Sequence, residues 1–107
     1  MVILVGITKF PISKAKAVAE RFIEVSKKYP PDRSLEKQIL RLASRIRGDE
    51  VESINVSEVK EGKLAEVLKR GIEQQLLYAD IEGMKFKVDT YFSGTEALAM
   101  VGLKMPE

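Results

Sequence analysis

The spacing of apolar and polar positions changes period several times along the chain, and each change marks an element. Residues 1–10, MVILVGITKF, are apolar on both alternating faces. Val2, Leu4, Gly6, Thr8 and Phe10 form one set; Ile3, Val5, Ile7 and Lys9 form the other. A strand of this pattern is covered on both sides and belongs in the middle of a sheet. Pro11 stops it, and Ser13 reads as the N-cap of a helix over Lys14–Tyr29. There Ala15, Val18, Ala19, Phe22 and Val25 recur at helical spacing, while Lys16, Glu20, Arg21, Glu24 and Lys28 face away. Pro30-Pro31 ends the helix, because a residue before proline avoids the α region.

Ser34–Arg47 supports two readings. Leu35, Ile39, Leu42, Ala43 and Ile46 fit a helix capped by Ser34; Leu40, Leu42, Ser44 and Ile46 fit a strand. Propensity favours the helix. Context favours the strand, because Arg47-Gly48-Asp49-Glu50 is a turn signal and Val51–Val59 alternates, which together predict a hairpin. Glu61-Gly62 breaks that strand. Lys63–Tyr78 is the clearest helix, with Leu64, Val67, Leu68, Gly71, Ile72, Gln75 and Leu76 on one stripe; Gly71 there suggests a close approach by a neighbour. Met84–Phe92 alternates as a strand, Ser93-Gly94 turns, and Glu96–Val101 predicts a short helix stopped by Gly102.

Composition narrows the chemistry. At 107 residues the chain fits one domain, spanning 1–107. Its 45% hydrophobic and 32% charged fractions are those of a globule rather than a disordered chain. No apolar run reaches the length of a membrane helix, and no secretion signal is recognisable, so the expectation is a cytoplasmic protein without a membrane partner. Without cysteine there are no disulfides, thiolate metal sites or thiol nucleophiles; without histidine there is no Ser-His-Asp triad. Any proton transfer must use Asp, Glu, Lys or Tyr. No cofactor is expected. The net charge of +2, with acids interspersed among bases, gives no basic stripe and disfavours a nucleic-acid partner. A single Asn, at Asn55, and many Lys and Glu lean toward a thermophilic composition.

Strand, helix, hairpin, helix, strand is the βαββαβ order of a ferredoxin-like α+β fold. It predicts a four-stranded antiparallel sheet with the helices on one face and a short C-terminal helix. The other face is open, and the doubly apolar first strand asks for a cover there. A homodimer packing sheet on sheet would supply it. The opening VILVGITKFP, the YPP after the first helix, INVSEV running into KLAEVLKRG, and the end TEALAMVGL resemble the dimeric α+β barrel superfamily, most of all its small bacterial and archaeal members. That resemblance implies roles ranging over cofactor-free oxygenases, haem-degrading enzymes, isomerases, decarboxylases and ligand-sensing domains. The histidine common in several of those branches is absent here.

With the usual strand pairing, the face away from the helices would carry Ser53, Asn55 and Ser57 on the third strand and Lys87, Asp89 and Tyr91 on the fourth. Arg41 and Arg45 would come from the second, and Lys9 or Thr8 from the first. A dimer could enclose this set as a ligand cavity. Asp89, Tyr91 and Asn55 are the catalytic candidates, as base, acid and anion stabiliser. A plainer account makes all of them polar residues on the wet half of an amphipathic sheet. Glu50, Glu52 and Glu58 read as a solvated hairpin rather than a metal site. The tripeptide Arg47-Gly48-Asp49 and the sequon Asn55-Val56-Ser57 read as a turn and a strand. Three functions stay open: a homodimer binding a small molecule, an interaction module without ligand, and an oxygenase- or isomerase-like enzyme.

Overall fold

The structure is a computed structural model describing residues 1–106. The first strand, β1 (Val2–Pro11), runs into a single 3-10 turn, Ile12–Lys14, and helix α1 (Ala15–Lys28). The hairpin follows as β2 (Glu36–Arg47) and β3 (Glu50–Val59), then α2 (Leu64–Leu76), β4 (Lys85–Phe92) and α3 (Gly94–Ala99). The strands form one antiparallel sheet in the order β2-β3-β1-β4, so the doubly apolar strand is central as its pattern predicts. No helix among the described residues is long and apolar enough to cross a membrane.

The ambiguous segment is a strand, and its hairpin explains the ambiguity. Ten residues of β3 face twelve of β2, and the register slips between Gln38 and Leu40 and again between Leu40 and Ala43. Each slip is a bulge, with one residue too many on β2. The two extra residues break the period of two, so Leu35, Ile39, Leu42 and Ile46 acquire the spacing of a helix face. The loop itself holds two residues, Gly48 and Asp49, and only Gly48 has positive φ, at 64°. That is the pattern of a II′ turn, whose twist matches the paired strands.

Several local expectations are corrected. Ser13 caps nothing: it lies inside the 3-10 turn, and α1 starts after Lys14 with no side-chain cap. Lys27 and Lys28 in the last turn of α1 do complement its dipole. The helix α3 starts two residues earlier than predicted, because Ser93 accepts a hydrogen bond from the Glu96 N–H and donates to the Glu96 carboxylate. That carboxylate also pairs with the amino terminus of Met1. At Gly71 a Cβ would meet open space, so this glycine serves no close approach.

Register and alternation divide the sheet into two faces. Phe10 and Val51 share one face and form the core with Val18 and Val25 of α1 and Tyr78 and Ile81 beyond α2. Both long helices therefore cover that face. The other carries Ile3, Val5 and Ile7 between Ile54 and Val56 on one side and Lys87, Asp89 and Tyr91 on the other. The accessible surface is 7645 Å2 for a chain of 12.0 kDa. A folded monomer of that mass exposes about 6,000 Å2. The radius of gyration, 15.6 Å, likewise exceeds the roughly 13 Å of a compact domain.

Candidate functional site

The helix-covered face has an unusual centre. Its rows on β3 read Val51, Ser53, Asn55, Ser57 and Val59, polar in the middle and apolar at both ends. On β1 the opposing residues are Phe10, Thr8, Gly6, Leu4 and Val2. Ser53 and Ser57 are buried, yet each has a partner. The Ser53 hydroxyl lies 2.7 Å from that of Ser44, and Ser57 donates to Glu36 at 3.2 Å. Asn55 is opposite Gly6, and a Cβ on Gly6 would stand 2.8 Å from Oδ1 and 2.9 Å from Nδ2. Only a glycine lets the Asn55 amide lie over the central strand.

Above this floor the helices leave a cleft of about 480 Å3. Its walls include Val18, Phe22 and Tyr29 from α1 and the turn after it, Val67 and Gly71 from α2, and Phe86 from β4. The volume falls in the range of small-molecule sites, and apolar walls with a few convergent polar groups are their usual lining. Two arginines tie the helices at the ends of the cleft. Arg70 of α2 donates to the Pro30 carbonyl beyond α1, stacks on Tyr29 at 5.5 Å and lies 3.8 Å from Asp32. Arg21 of α1 donates to the Leu77 carbonyl beyond α2 and grips Asp80 with two bonds, 2.6 and 2.9 Å. The Arg21 hydrogen bonds hold the Asp80 carboxyl down at about 2. Burial pushes the Tyr78 hydroxyl above its ordinary value.

The expected single polar face is corrected. Asn55 pairs with Gly6 and Asp89 with Val5, adjacent residues of β1 that point to opposite sides of the sheet. Ser53, Asn55 and Ser57 therefore lie under the helices, and Lys87, Asp89 and Tyr91 on the open face. Within one chain the three catalytic candidates do not meet. Lys87 lies 3.6 Å from Asp89, and Tyr91 is 54% exposed. Lys9 is on the open face and Thr8 on the covered one. Phe92, at the end of β4, is 62% exposed.

Arg41 and Arg45 also separate, although their spacing puts them on one side of a regular strand. Arg45 stays on the open face and binds Glu52 at 2.8 Å, with Lys9 at 3.8 Å. That contact holds the Glu52 carboxyl below its ordinary range. Arg41 sits at the second bulge, where it and Leu42 oppose Asn55. The bulge turns it to the helix side, over the Phe22 ring at 5.9 Å, where it lines the cleft. Among the described residues no three carboxylates group as a metal site.

No protein-family profile matches the chain, and no curated protein matches it. Among solved structures it is similar to the de novo designed protein Foldit4, with a TM-score of 0.51 and 16% identity over 87% of this chain and 99% of that one. It is also similar to the de novo designed protein Ferredog-Diesel, with a TM-score of 0.41 and 17% identity over 83% of this chain and 84% of that one. At such identity the Foldit4 likeness concerns the fold alone: α+β, with helices on a four-stranded sheet.

Proposed function

We propose that the chain is a single-domain, ferredoxin-like protein of the dimeric α+β barrel kind, acting in the cytoplasm as a homodimer that holds a small molecule between its helices and its sheet. The observation that carries the reading is the polar centre of the covered face. A face kept only for packing gains by being apolar; here the Ser53 and Ser57 hydroxyls are satisfied within the sheet, and the Asn55 amide stands exposed in the cleft. Here Thr8, Ser53, Asn55 and Ser57 floor a cleft with aromatic walls.

The dimer has separate support. Ile3, Val5, Ile7, Ile54 and Val56 form an apolar centre on the face without helices, ringed by Lys9, Glu52, Lys87 and Asp89. A second copy would cover it with matching apolar area and both signs of charge at the rim. The chain's surplus surface, roughly 1,600 Å2 over a monomer of its mass, is of the size that an obligate homodimer buries per subunit.

Native mass spectrometry of the untagged, as-purified protein tests both parts. The expected result is a species of twice 12.0 kDa with further mass that denaturation releases. A bare monomer overturns the dimer. A bare dimer that also fails to take up any member of a small-molecule panel overturns the ligand.

A further inference from the structure

We infer that the ligand of the cleft is an apolar monocarboxylate, its carboxylate held by Arg41 and Asn55 and its body lying among Phe22, Val18 and Phe86; this rests on the proposed use of the cleft. The bulge is the starting observation. A regular β2 would aim Arg41 at the open face beside Arg45, and the extra residue turns it toward the helices instead. Bulges concentrate where a strand must re-aim a side chain. The same irregularity sets Arg41 against Asn55, whose amide lies over Gly6 with no hydrogen-bond partner among the described residues.

The charges around the cleft then select the ligand. Arg70 is committed to Asp32 and the Pro30 carbonyl, and Lys87, which also borders the cleft, to Asp89. Arg41 has no carboxylate in reach among the described residues. Its neighbour is the Phe22 ring, which leaves the edge of the guanidinium fork to a planar anion. One uncommitted cation suits a single negative charge; a phosphoryl dianion would ask for more. Of the two carboxylates of the cleft, Asp32 is paired with Arg70 and Glu36 lies opposite Val59 and is engaged by Ser57. The Glu36 carboxylate reaches Ser57, two residues along β3 from Asn55 or roughly 7 Å at the rise of a strand, so it bounds the carboxylate end of the site and leaves room there for one further anion only. The remaining walls are aromatic and aliphatic, so the body of the ligand is apolar.

The test compares 1-naphthoate with 1-naphthalenemethanol, which has the same rings and no charge, by titration calorimetry and by amide chemical shifts. The carboxylate is expected to bind at least about tenfold more tightly, shifting Phe22, Arg41 and Asn55. Arg41→Met should abolish that preference while leaving the alcohol's affinity unchanged, and Arg41→Lys should restore part of it. Equal binding of the two probes, or a preference that survives Arg41→Met, overturns the carboxylate and leaves the cleft standing. Failure of both probes, with no shift along the cleft, overturns the class and the cleft reading together. Shifts confined to Val5, Ile54 and Val56 overturn the placement.

Discussion

The two faces of the sheet invert the usual arrangement, in which the covered face is apolar and the open one polar. Beneath the helices the middle of the β3 row is Ser53, Asn55 and Ser57, beside Thr8 of β1, with Leu4, Phe86 and Val88 among them and apolar residues at the row ends. On the face without helices the centre is Ile3, Val5, Ile7, Ile54 and Val56, with charges at the rim. Each face is thus incomplete in its own way. The covered face has polar groups that packing does not need. The open face has apolar groups that solvent does not favour. The proposed ligand answers the first lack and the proposed second copy the second.

The largest effect on this contrast is expected from Val56→Lys, which puts a charge into the apolar centre of the open face. Sedimentation equilibrium should report half the mass of the parent, and an unchanged mass would remove the open face from the interface. Next comes Phe10→Ala, at the apolar end of the covered face. Phe10 is 6% exposed, and truncating a buried phenylalanine costs about 3–5 kcal/mol, read by urea unfolding. A loss under about 1 kcal/mol would show that the helices do not pack there as described.

A smaller effect tests the floor of the cleft. Gly6→Ala drives a methyl group against the exposed Asn55 amide, which must turn aside, and should cost about 1 kcal/mol. Adding Asn55→Ala should recover most of that loss, and additive losses would break the link between the two residues. Gly71→Ala acts in the opposite direction. Its Cβ meets open space within α2, so stability should rise by about 1 kcal/mol; a loss would mean that the helix approaches a neighbour after all.

The smallest effect is acidic. The carboxyl of Asp80 titrates at about 2 in the folded chain against an ordinary 3.8. The folded value is depressed, so its stabilisation is full above pH 4 and is lost as pH falls from about 4 toward 2. Arg21→Met should flatten the stability profile across that window relative to the parent. An unchanged profile would show that the ion pair, which is exposed, is fully screened.

Much of the fold was legible in the chain. The doubly apolar Val2–Phe10 announced a central strand, and Pro30-Pro31 and Gly48 marked the boundaries. The site was not, for two physical reasons. Residues 50–59 alternate between Val-Ser-Asn-Ser-Val and Glu-Glu-Ile-Val-Glu. Neither set is plainly apolar, and polarity alone assigned the serines and the asparagine to the wet side. Helix packing at Val51 and Val59 decided otherwise. The second reason is the bulges. Alternation kept Arg41 with Arg45, while the one surplus residue that separates them, like the other between Gln38 and Leu40, showed only as a false helical period. Counting β2 against β3 would have exposed that surplus, provided that the hairpin was already assumed.

The most direct test of the inverted sheet is the protection of methyl groups from a water-soluble paramagnetic agent, read by NMR on the parent protein. Val59 is 2% exposed and Ile46 is 66% exposed, so they mark the two ends of the scale. The open-face methyls of Val5, Ile54 and Val56 are expected to be protected like Val59, and to become accessible in Val56→Lys. Broadening of Val5 and Ile54 in the parent to the extent of Ile46 would contradict the account, because the apolar centre of the open face would then be bare.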